Sequence, residues 1–202
     1  KINKKDKSEF KLESTYDYLA FGRTHDNRLT VEELRIPKKQ ASKKKDAPSL
    51  LATNGFPTLL LIFHPQYQQN YRYHLDPANS ETDGWIRVKF EPIQASQSTC
   101  ALALKDRIYP LPLQGTAWID RRTGSIQRIA AGLIAPKKDI NIEAFSIEVY
   151  YGPQNLASDK EIGWLPESAI VDVRTRLQRW RNTHTYAQYK RFSVVAQETI
   201  PQ

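Results

Sequence analysis

The stretch that most constrains this chain runs from Gly115 to Tyr151. Its opening, Gly115-Thr116-Ala117-Trp118-Ile119-Asp120-Arg121-Arg122-Thr123-Gly124-Ser125-Ile126, reads as a strand, a tight turn and a returning strand. Asp120 can accept backbone N–H groups inside the turn, and Gly124 supplies the left-handed conformation that closes a short hairpin loop at little steric cost. Phe145 to Tyr151 then alternates apolar and polar at period two, the mark of a half-buried strand. The centre of the molecule is therefore an antiparallel meander.

The same reasoning extends outward. Strands are predicted at Thr15–Arg23 and Arg28–Ile36 around a turn at His25-Asp26-Asn27, and at Gln69–Leu75. Another is Gly84–Phe90, with Ile86, Val88 and Phe90 inward and Arg87 and Lys89 outward. Thr99–Leu104, Ile108–Leu111, Ala169–Leu177 and His184–Val195 complete the set. Gly152–Gly163 reads as a polar loop and Gln178–Thr183 as a basic turn. Pro48–Thr53 and Pro57–His64 read as short helices, because proline at the first helical position loses no hydrogen bond. The second is apolar nearly all round, is ended by Pro65, and should be buried against the sheet. The fold expected is mainly β: a curled antiparallel sheet of about ten strands, a half-open barrel, with short helices on its concave face.

The length, 202 residues, suits one domain over 1–202. Residues 1–13 read as a flexible or partly ordered N-terminus, and 38–47 as a mobile basic loop. The longest apolar run, Leu59 to Phe63, is far short of a membrane span or signal core. A start at Lys1 with no methionine is read as a mature or trimmed form, from which an export signal or lipid anchor could have been removed. A single cysteine, Cys100, excludes an internal disulfide framework and reads as a small buried apolar residue. Much of the net charge of +8 gathers in Lys1–Lys7, Lys38–Lys45 and Arg174–Arg181; it reads as solvated tails and loops or, if the clusters converge on one face, as favouring acidic partners such as nucleic acid or an anionic membrane surface.

Catalytic patterns are not evident. His25, His64, His74 and His184 fall in separate elements without metal-site spacing, and no nucleophile elbow, P-loop or dinucleotide fingerprint occurs. Adjacent Glu32 and Glu33 point to opposite faces of a strand and cannot form a paired-carboxylate centre. No enzyme activity, metal or cofactor is expected. As a third reading, unsupported by any RNP-like or zinc-finger pattern, Arg174, Arg176, Arg179, Arg181, Trp180 and Tyr186 could form a nucleic-acid surface in which aromatic rings stack bases and arginines meet phosphates. The apolar helix offers another site. With Leu60, Phe63, Tyr71, Tyr73, Phe90, Trp118 and Phe145 as its lining, helix and sheet could enclose an apolar or lipid-linked ligand. Alternatively they fill one another's core, which leaves a structural or protein-interaction module without cargo.

Several motifs together carry a resemblance. G-T-A-W-I-D-R-x-T-G-x-I-x-R-I at 115–129, V-Y-Y-G at 149–152, W-L-P-E at 164–167 and T-Y-A-Q-Y-K-R-F at 185–192 resemble a group of uncharacterised exported bacterial proteins. These are similar in turn to the periplasmic lipoprotein-carrier fold (LolA/LolB/LppX-like). G-F-P-x-L-L-L-I-F at 55–63 and the tyrosine-rich strand at 67–75 fit the same layout. The resemblance implies a half-open barrel filled by short helices, located in the periplasm or cell envelope, with a lipid, acyl chain or lipoprotein as cargo.

Overall fold

The structure, a computed structural model, describes residues 13–25, 28–38, 58–77, 84–94, 98–104, 107–156 and 162–192. Period-two alternation carries most of these into strands. The chain opens with a hairpin, β1 (Tyr16–His25) and β2 (Arg28–Pro37), followed by two single-turn helices, α1 (Thr58–Leu61) and α2 (Pro65–Gln68). Then come β3 (Tyr71–Leu75), β4 (Trp85–Pro92), β5 (Ala101–Leu104), β6 (Arg107–Pro110), β7 (Leu113–Asp120) and β8 (Ile126–Leu133). A 3-10 turn at Lys138–Ile140 precedes β9 (Ile142–Asn155), β10 (Ile162–Thr175) and β11 (Arg179–Thr185).

Seven of these strands form one antiparallel sheet in the order β11-β10-β9-β8-β7-β4-β3, and the pairs β1-β2 and β5-β6 stand as separate two-stranded sheets. The mainly β, antiparallel expectation holds. The sheet is not closed into a barrel, and the described strands divide into seven, two and two rather than forming one sheet of about ten. The β7–β8 turn forms as its residues dictate. Asp120 Oδ1 accepts the N–H groups of Arg122 and Thr123, both at 2.8 Å, and Gly124 sits at φ 71°. Those bonds, Thr123's first, hold the Asp120 carboxyl below the usual carboxylate range.

Register separates the two faces of the sheet. Ala117 pairs with Ile129, Ile129 with Val149 and Val149 with Ala169, and all four are buried. Phe90, Leu113, Ile147, Val171 and Val173 join them on this inner face. Leu59 and Ile62 at the α1 turn are fully buried in the same cluster, and Cys100, Leu102 and Leu111 around the β5–β6 hairpin are buried with them. Gly115 faces Phe90 across β4 and β7, and a Cβ there would stand 2.1 Å from the Ala130 carbonyl oxygen and 2.9 Å from the Phe90 ring. The close approach requires glycine.

Several boundaries differ from the sequence expectation. Pro65 begins α2 as well as ending the α1 turn; His64 caps α2, its Nδ1 accepting the Gln66 N–H. The predicted polar loop at 152–163 is strand up to Asn155 and again from Ile162, because a β-bulge between Pro166 and Ser168 lets the long β9–β10 pair continue. The predicted basic turn at 178–183 is β11. The reversal comes earlier, where Thr175 and Gln178 exchange backbone and hydroxyl hydrogen bonds. Residues 186–192, expected as strand, carry no regular structure. The Pro48–Thr53 helix, the N-terminal twelve residues and, apart from Lys38, the 38–47 loop lie outside the described residues.

Candidate functional site

Six of the seven side chains expected to line a ligand site come together. Phe63 meets the Phe90 ring edge-on at 5.7 Å and the Tyr73 ring at 5.7 Å, and Tyr71 stands 6.3 Å from Phe90. Phe145 is buried in the same cluster and Leu60 packs against it. The Tyr73 hydroxyl donates to the Ile62 carbonyl at 2.5 Å, tying the end of the α1 turn to β3. Burial pushes the Tyr73 hydroxyl up to about 12, so it remains a donor at neutral pH. The Tyr71 hydroxyl accepts the Thr99 N–H at 3.0 Å and so anchors the approach to β5. The α1 turn and the sheet therefore meet here through ring contacts and a hydrogen bond.

Trp118 does not join them. Ala117, its neighbour, is the inward residue, of one parity with Gly115, whose lack of a Cβ admits the Phe90 ring against β7. Trp118 therefore points to the opposite, outer face, where its register partner Arg128 lies over it with the guanidinium 4.1 Å from the ring centroid. Arg128 pairs with Tyr150 on β9 as well, and its guanidinium is 5.6 Å from that ring. Its Nε is 2.5 Å from Glu148 Oε1, which also accepts the Tyr150 hydroxyl at 2.6 Å. Four side chains from three strands thus lock one another on the outer face.

Beside that cluster the outer face sinks into an open depression of about 480 Å³. Small residues, Thr116, Ala130, Gly132 and Ser146, brought side by side by the β7–β8–β9 register, line much of it, with Gln114 and Ile170 beside them. Glu148, held by Arg128, forms one wall. Asp172 forms the other, where Oδ1 takes Arg179 Nε at 3.1 Å and Oδ2 takes Arg181 at 2.7 Å. Sequence reasoning missed Arg128, Gly132, Ser146 and Asp172, although alternation assigns Ser146 and Asp172 to the polar parity of their strands.

The Arg174–Arg181 cluster does not present an aromatic platform. Trp180 pairs with Val173 and is buried on the inner face, so no base can stack on it. Arg174 stands 3.6 Å from Glu143, while Arg179 and Arg181 share Asp172. Tyr186 packs edge-on against Tyr18 at 5.5 Å. The nucleic-acid surface drawn from these residues is therefore not assembled.

A second cluster of ionisable groups joins the β1–β2 hairpin to the end of β11. Arg35 lies 5.9 Å over the Tyr18 ring, and His184 stacks on Tyr186 at 6.4 Å. Burial first, then the Glu33 carboxylate, raises the Tyr18 hydroxyl far above its ordinary value, and burial raises that of Tyr186. Burial, aided by Arg35, depresses His184 to about 4. At neutral pH the ring is uncharged and the joint is a polar seam. The hairpin's other anchor is Leu29, whose N–H donates to Gln66 Oε1 at 2.7 Å and whose carbonyl accepts the Tyr67 hydroxyl at 2.6 Å.

Among the described residues no three His, Cys, Asp or Glu side chains are grouped to hold a metal ion. Comparison with protein-family models, curated proteins and solved structures finds no match to this chain. What the fold and the two faces define is an antiparallel meander with one face given to core and the other to an ion-paired, open platform.

Proposed function

We propose that this protein is a non-enzymatic interaction module with a filled core, which receives a polypeptide partner on the outer face of its sheet. The observation that carries this reading is the depression between the Glu148–Arg128 and Asp172–Arg181 ion pairs. A floor of small side chains lets a partner's backbone come close, and walls bearing both signs of charge suit the polar, partly wet contact of two folded proteins. The cell-envelope location follows from the resemblance of the turn motifs.

A second reading keeps the lipid or lipoprotein carrier. It is favoured by the shortness of α1, four residues, which is too short to be stable alone and so is the element that could lift. Cargo would then replace the Phe63 contacts on Phe90 and Tyr73.

Native mass spectrometry of the protein purified from its own host, with a photo-crosslinking residue in place of Ser146, separates the two. The interaction module predicts a bare chain mass and polypeptide adducts from position 146 but not from exposed Leu177. A co-purified lipid mass, with uptake of a fluorescent fatty acid that Leu60→Asp abolishes in a folded protein, would replace this reading by the carrier.

A further inference from the structure

The β1–β2 hairpin is inside out relative to the main sheet. Its register places Tyr18 opposite Arg35 and Ala20 opposite Glu33 on one side, and Leu19 opposite Leu34, Phe21 opposite Glu32 and Asp17 opposite Ile36 on the other. Amphipathic hairpins bury the apolar side. Here the side carrying Tyr18, Glu33 and Arg35 meets the rest of the protein at Tyr186 and His184. The apolar side is left to solvent, with Phe21 43%, Leu34 50% and Ile36 46% exposed. The acids on that side are neutralised in place, Asp17 by Lys38 at 2.9 Å and Glu32 by Arg23 at 3.4 Å.

We infer that this outward apolar side of the β1–β2 hairpin is a docking surface for an anionic lipid bilayer. Size and charge choose that occupant over a second copy of the chain. Four side chains, none fully exposed, offer an apolar patch of no more than a few hundred Å². A stable dimer buries roughly 1,200–2,000 Å² in total, more than two such patches supply. Each copy also carries a net charge of +8, which opposes self-association and is drawn to an anionic surface. A bilayer supplies apolar depth to any patch laid on it, and each basic residue near an anionic leaflet adds about 1 kcal/mol of attraction. The two anchors, Leu29 on α2 and Tyr18 on Tyr186, hold the hairpin along its length so that Leu19, Phe21, Leu34 and Ile36 are presented together.

Co-sedimentation of the intact chain with phosphatidylglycerol–phosphatidylcholine vesicles, set against phosphatidylcholine alone, tests this. Binding is expected to the anionic vesicles, to weaken as salt is raised, and to fall at least about tenfold in the double variant Phe21→Glu/Leu34→Glu. Both positions are exposed, so the variant should keep the wild-type circular dichroism. Leu177→Glu, at a still more exposed leucine in the β10–β11 reversal, should bind as the wild type does. A variant in which Phe21→Trp reports the contact should shift its fluorescence to the blue on adding anionic vesicles. No binding at low salt, binding that the hairpin variant leaves unchanged, or a wild-type dimer that the hairpin variant turns into monomer would each overturn the inference.

Discussion

The seven-stranded sheet and the β1–β2 hairpin obey the same alternation and turn opposite sides to water. In the sheet, Ile129, Val149 and Val171 are buried while Arg128, Glu148 and Asp172 look outward. In the hairpin, Tyr18, Glu33 and Arg35 are turned inward and Leu34 and Ile36 outward. The difference teaches that amphipathicity fixes which residues share a side but not which side is buried. That choice falls to what each side meets. For the sheet it is α1 and the β5–β6 hairpin; for β1–β2 it is a polar seam at His184 and Tyr186.

The comparison is broken most severely at the inner face. Phe90→Ala removes the ring on which Phe63, Tyr71 and Gly115 close, and should cost about 3–5 kcal/mol in chemical denaturation. A loss below about 1 kcal/mol would mean that the α1–sheet contact is not core. The next largest effect lies in the polar seam. The folded His184 ring titrates near 4, below its ordinary 6.5, so the unfolded chain takes up a proton first as pH falls. The seam's contribution is whole above about 6.5, is lost progressively towards about 4, and amounts to on the order of 2 kcal/mol for a ring that keeps partial solvent contact. The acid limb of a stability-versus-pH curve, with Arg35 and Tyr186 beside the ring, should flatten in His184→Gln.

On the outer face Arg128→Ala deletes a cation–π contact and an ion pair that both keep solvent access, and should cost only about 1 kcal/mol. The same variant should halve or more the crosslinking yield at position 146 if the Glu148 wall orients the partner. Smallest of all, Leu34→Ser on the exposed hairpin side should move stability by less than about 0.5 kcal/mol by thermal unfolding, although it is an apolar residue in a strand. A cost like that of Phe90→Ala would show that the hairpin's apolar side is covered.

How far the sequence carries depends on whether local chemistry or tertiary contact decides. The β7–β8 turn was legible in full, because Asp120 and Gly124 act within the turn itself. Six of the expected lining residues share one buried cluster, since Phe63, Tyr71, Tyr73 and Phe90 follow from an apolar turn facing alternating strands. Trp118 falls on the other face because Ala117, Trp118 and Ile119 are consecutively apolar and leave the parity open; Gly115, which must face the Phe90 ring, fixes that parity and carries Ala117 inward. Arg179-Trp180-Arg181 looked like a basic turn because its charge density hid a strand alternation, which places Trp180 inward and both arginines on Asp172. The inverted hairpin was not legible, since Tyr186 and His184 lie some 150 residues further along the chain.

Hydroxyl-radical footprinting of the native protein reads both faces at once. The account predicts rapid labelling of Phe21, Leu34 and Ile36, with Phe90, Ile129 and Val149 protected until the protein unfolds. Protection of the three hairpin residues, or labelling of Phe90 in the folded protein, would contradict it.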